Sequence, residues 1–126
     1  MLMTYETTKS VEEVRKAIEE KAKANGVGVM SVHEVSNILE SKGVPISYKC
    51  VIVEVCSPRH ASQVLSKAPY ISTAMPCRIA IFEEHGKTVV STMAPTAMLS
   101  IFERPELEDI AKEVEELMKK IMEESL

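Results

Sequence analysis

The chain has 126 residues, 45% of them hydrophobic and 27% charged, with a formal net charge of -4 and a pI near 5.4. That length suits one domain spanning residues 1–126 that buries a core without staples, and the acid excess leaves no basic field for a phosphate backbone, so nucleic acid is not an expected partner. No apolar stretch nears the roughly 18 to 20 residues of a membrane span, the N-terminus M-L-M-T-Y-E-T-T-K lacks a signal-peptide core, and three cysteines, an odd number, fit a reducing cytoplasm better than a disulfide framework.

Met3 to Thr8 reads as a first strand. Ser10 and Glu13 have capping-box spacing, Val11, Val14, Ala17, Ile18 and Ala22 recur at helical intervals, and Asn25-Gly26 supplies a left-handed stop, so a helix is predicted over about Val11 to Ala24. Val27 to Met30 is a brief strand. Ser31 and Glu34 read as a second capping box, opening a helix with Val32, Val35, Ile38 and Leu39 that Gly43 and Pro45 end.

Tyr48 to Pro58, Y-K-C-V-I-V-E-V-C-S-P, carries the strongest strand signal and reads as the central strand. Alternation sends Val51, Val53 and Val55 to one face and Cys50, Ile52, Glu54 and Cys56 to the other. The first set belongs against helices. The second, with a carboxylate that a dry core would have to pair, is where function or another subunit is expected.

Ser57 as N-cap and Pro58 at the first helical position open a third helix with Ala61, Val64 and Leu65 inward, and Ala68-Pro69 ends it. Tyr70 to Pro76 has no period and reads as a loop with room for a short turn. Cys77 to Phe82 and Thr88 to Thr92 are strands joined by E-E-H-G-K, whose Gly86 suits a hairpin, so they should pair antiparallel. After Ala94-Pro95, the residues Ala97, Met98, Leu99 and Ile101 suggest a helical turn. The last helix, about Pro105 to Glu123, has a continuous stripe from Leu107 to Met122, and its outer face sets Glu108, Glu115 and Glu116 four residues before Lys112, Lys119 and Lys120. This order predicts a two-layer α+β fold, an antiparallel-rich sheet with helices on one face. The other sheet face is left without cover.

The run V-E-V-C-S-P-R-H-A-S-Q-V-L (Val53 to Leu65), then Met75-Pro76-Cys77 followed by a strand, a glycine turn and a second strand, resembles the domain of unknown function numbered 302, over nearly the whole chain. That resemblance implies a β-α-β(4)-α layout similar to the TATA-binding-protein-like fold, in a small bacterial or archaeal protein that forms a homodimer. It implies no established activity. Nor does it import DNA binding, because function lives in the site and the basic concave surface such binding needs is missing.

Cys56 precedes a helix N-terminus, where the macrodipole and free N–H groups favour a thiolate, and Cys77 opens the next strand. If those strands are neighbours with matching ends the two thiols approach, whereas Cys50 stays remote. The plainer reading packs Cys56 against Ala61 and Cys77 into the core as small hydrophobes. Cys56, His60, Cys77 and Met75 would as ligands favour Cu(I) or Zn, but they lack the tight local pairs of a structural zinc site, and no metal is assigned. Glu54 is expected to pair with Arg78 or Arg59. His33 and His85 read as solvated, and Met93 and Met98 with Tyr70 and Met75 as the lining of an apolar pocket or an interface.

Nothing has the form of a nucleophile elbow, a P-loop or a dinucleotide fingerprint, so no catalytic motif supports an enzyme and no cofactor is assigned. Two readings stay open. The first is a cytoplasmic homodimeric binding or interaction module that uses the open sheet face or the Tyr70 to Cys77 loop, with Glu54, Tyr70, Met75, Pro76, Met93 and Met98 as pocket or interface and a small ligand admissible. The second is a thiol-dependent redox, sulfur-carrier or soft-metal-binding protein that uses Cys56, Cys77 and His60.

Overall fold

The computed structural model describes residues 1–126. In chain order the elements are β1 (Leu2–Thr7), α1 (Val11–Ala24), β2 (Gly28–His33), α2 (Val35–Ser41), β3 (Cys50–Cys56), α3 (Pro58–Lys67), β4 (Cys77–Glu84), β5 (Lys87–Met93), α4 (Pro95–Ser100) and α5 (Glu108–Glu124), with 3-10 turns at Pro69–Ala74 and Pro105–Leu107. Setting the shorter helices aside, this is the expected β-α-β(4)-α layout of an α+β fold. None of the helices is long and apolar enough to cross a membrane.

The five strands form one antiparallel sheet in the order β1-β5-β4-β3-β2. The middle strand is therefore β4, and β3, expected at the centre, lies second from an edge. Its faces sort as alternation requires: Val51, Val53 and Val55 are buried while Cys50, Ile52, Glu54 and Cys56 are only partly covered. Val51 pairs with Ile81 and Ile81 with Val90, so one apolar row crosses three strands. Val14 and Ile18 of α1 and Met118, Ile121 and Met122 of α5 close over that row in the main core. Each large side chain so buried contributes roughly 1.5–3 kcal/mol before the entropy of ordering it is counted.

Local chemistry accounts for most boundaries. Ser10 Oγ accepts from Glu13 N–H and Glu13 Oε1 accepts from Ser10 N–H, both at 3.1 Å, so the first capping box is complete. His85 and Gly86 form the two-residue loop between Glu84 and Lys87 with φ of 51° and 76°, the paired positive values of a type I′ hairpin. The second capping box does not form. Ser31 and Val32 are in β2, where Val32 pairs with Val53 and packs on the core, and α2 starts only at Val35 with no side-chain cap. Burial of Val32 and a ladder to β3 outweigh one capping bond. An irregularity in the register between Val29 and Ser31 accommodates the switch.

On α5 only Glu108 and Lys112 form an expected ion pair, at 3.6 Å. Glu115 instead accepts from Thr96 N–H at 3.2 Å and from Thr96 Oγ1 at 2.7 Å, which ties the start of α4 to α5. A capped helix start needs an acceptor more than an exposed lysine needs a partner. The result is a second, smaller cluster around Ala68, Ile71 and Leu107, with Val64, Met75, Leu99, Phe102 and Ile110 packed on it, beside the main core.

Candidate functional site

Between the two apolar clusters lies a cavity of about 110 Å³, and the register of β3 on β4 places it. Val55 sits opposite Cys77. One residue later β3 ends at Cys56 and the chain turns through Ser57 into α3, while β4 is entered through the 3-10 turn and a cis Met75–Pro76 peptide. Cys56 and Cys77 thus come from the adjoining ends of neighbouring strands and line the same cavity, together with His60, Met75, Pro76 and Met98. Of its 19 lining residues 15 are hydrophobic, which makes the interior a site for apolar matter.

Burial pushes Cys56 above the ordinary thiol range, and Cys77 rises for the same reason and further because Cys56 is close enough for its charge to act on it. At Cys56 the direction agrees with the plainer reading of a packed thiol and not with depression by the α3 N-terminus. Loss of hydration is the first cause at both, and both residues line the cavity. Cys50, at the far end of β3, is also raised by burial.

His60 is the buried polar group of the site, 4% exposed. Its Nδ1 lies 2.6 Å from Ser57 Oγ and its Nε2 3.1 Å from Glu113 Oε2 on α5, while Arg59 Nη2 stands off at 3.5 Å. A carboxylate only accepts, so Nε2 carries the hydrogen and donates it to Glu113. In the neutral ring Nδ1 is then the acceptor, and Ser57 Oγ donates to it. This bond explains why Ser57, expected to cap α3, makes no side-chain cap. Ser57 and His60 line both the apolar cavity and an adjoining polar groove that holds Arg59, Lys112, Glu113 and Lys120.

The other expected site residues lie elsewhere. Tyr70 is 84% exposed on the 3-10 turn, because its neighbour Ile71 is the side chain that turn buries. Met93 does not reach the cavity either: it pairs with Leu2 across β1 and β5 on the uncovered sheet face, where alternation directs both. Glu54 belongs to that face too, paired with Arg78 at 3.1 Å as expected and also with His33 at 2.8 Å. His33, expected at an exposed helix start, is a strand residue. His85 is exposed in its turn as expected. No three His, Cys, Asp or Glu side chains are grouped as ligands for a metal ion.

The sequence marks Ser57 only as a helix cap and Glu113 not at all. The S-x-x-H spacing of Ser57 and His60 was a readable signal, since N-cap and third helical position are neighbours in space. Glu113 lies 53 residues on from His60, beyond any local pattern.

Over residues 3–125 the chain matches the family described as Domain of unknown function DUF302. It is also similar to a crystal structure of an uncharacterized conserved DUF302 protein from Bacillus stearothermophilus, with a TM-score of 0.94 and 27% sequence identity over 99% of this chain and 98% of that one. Among curated proteins none matches.

Proposed function

We propose, for a chain that belongs to the DUF302 family, that its function is to bind a small apolar molecule in the cavity between α3, α4, α5 and the ends of β3 and β4. One observation carries this reading: a space of about 110 Å³, open at one side and walled almost wholly by apolar side chains. An engineered cavity of about 150 Å³ with similar walls stays dry and takes up benzene or xenon. Neutral Cys56 and Cys77 add soft, weakly polar contacts at one end, and Met75 and Met98 adapt to shape. Benzene titration followed by methyl NMR tests it. Shifts at Val64 and Val114 that disappear in Ala111→Leu, which fills the cavity from α5, are expected; no shift at saturating benzene would sink the reading.

The uncovered sheet face supports a second reading, a homodimer. Leu2 and Met93, 68% and 50% exposed, lie opposite each other there. A two-fold pairing of that face with a second copy would bury both residues twice in one self-complementary patch. Sedimentation of the wild type and of Met93→Glu tests it: a dimer that the glutamate converts to monomer is expected, and a wild-type monomer at micromolar concentration would end it.

A further inference from the structure

We infer that Ser57, His60 and Glu113 form an acyl-transfer site at the mouth of the cavity, hydrolysing small esters whose acyl group enters it. The sites of ligand and acyl group coincide, so this rests on the binding reading. Three observations meet here. The hydrogen-bond chain has a direction in the neutral Nε2–H tautomer, the one the Glu113 carboxylate selects over the more distant Arg59 Nη2 at 3.5 Å: Glu113 takes the Nε2 hydrogen of His60 at 3.1 Å, and Nδ1 accepts the Ser57 hydroxyl at 2.6 Å. That is the relation of nucleophile, base and orienting carboxylate, with the two ring nitrogens exchanged relative to the familiar serine-hydrolase order. His60 is 4% exposed, so its orientation is held by packing as well as by bonds. Finally, Ser57 opens on both the apolar cavity and the polar groove, which gives the acyl chain and the departing alcohol separate places.

The first-turn N–H groups of Arg59 and His60 in the ten-residue α3 have no acceptor within the chain. They lie next to Ser57, where a tetrahedral oxyanion needs donors.

In the reaction Ser57 Oγ attacks the ester carbonyl carbon while its proton passes to His60 Nδ1. The C–O bond to the alcohol breaks as His60 returns that proton to the leaving oxygen. Water, the co-reactant, then attacks the acyl-serine with its proton taken by Nδ1, and the carboxylic acid leaves as Ser57 recovers the proton. Ser57 and His60 are catalytic residues in this scheme; Glu113 is a positioning residue.

The test uses the whole chain with p-nitrophenyl butyrate and, separately, a fluorophosphonate that labels activated serines. A covalent adduct mapped to Ser57 and ester turnover lost in Ser57→Ala are expected. His60→Gln should lower kcat by roughly 10²–10⁴, and Glu113→Gln should lower kcat with KM unchanged. Turnover in Ser57→Ala equal to wild type, an adduct on Cys56 or Cys77 instead, or no adduct at all would overturn the inference. Benzene uptake is measured on the same samples. Uptake without turnover refutes catalysis and leaves the binding reading standing, whereas absence of both refutes the two together.

Discussion

Glu54 on β3 and Arg78 on β4 are direct cross-strand partners, and their side chains close an ion pair at 3.1 Å on the sheet face that helices do not cover. His33 on β2 bonds the other carboxylate oxygen at 2.8 Å, so one glutamate links three strands. The His33 bond first, and then Arg78, hold Glu54 below the ordinary carboxylate range against the opposing effect of desolvation. A depressed carboxylate stabilises the fold above its unfolded pKa, and that stabilisation is lost as pH falls through the folded value. Thermal melts from pH 7 to pH 2 should show Glu54→Gln less stable than wild type at pH 7, with the gap closing in acid. A gap that stays constant with pH would assign the loss to packing.

The main core depends on the row that crosses β3, β4 and β5. Ile79 and Ile81 are fully buried between α1 and α5. Ile81→Ala should cost about 2–5 kcal/mol in urea unfolding, with the midpoint lowered and the slope unchanged. The same change at exposed Ile101 should fall within about 0.5 kcal/mol.

The start of α1 rests on the Ser10–Glu13 box. Ser10→Ala removes the acceptor for Glu13 N–H and should destabilise by about 0.5–2 kcal/mol. Ser10→Asp, which keeps an acceptor and adds charge at the positive end of the helix, should recover most of it.

Thiol reactivity follows from the raised pKa values of Cys56 and Cys77. Each holds less thiolate at pH 7 than free cysteine, so iodoacetamide should modify both more slowly. Cys77, packed against the main core, should be the slower of the two. Below its pKa the rate at Cys56 should climb roughly tenfold per pH unit. Rapid alkylation of Cys56 at pH 7 would instead reveal an activated sulfur and revive the thiol-centred reading.

Much of this protein is written locally. The valines of β3 alternate, the apolar stripe of α5 recurs every three or four residues, the first capping box is four residues long, and the His85-Gly86 turn is set by its two residues; each is decided by neighbours in sequence, so each was legible there. Long-range competition decided what was misread. Ser31 and Val32 had the letters of a helix start, but a ladder to β3 claimed them. Tyr70 was exchanged for Ile71 as the buried member of its turn, and Glu115 turned from Lys119 to the start of α4.

The sequence determined the fold class, the faces of β3 and the thiols at the end of that strand, because periodicity and capping act within a few residues. Only the tertiary structure decided that β4 and not β3 is central, that Cys56 and Cys77 share a cavity, and that Glu113 reaches His60 across 53 residues. Strand order and the approach of α5 to α3 depend on which apolar surfaces bury each other, a property of the whole chain at once that no local pattern carries.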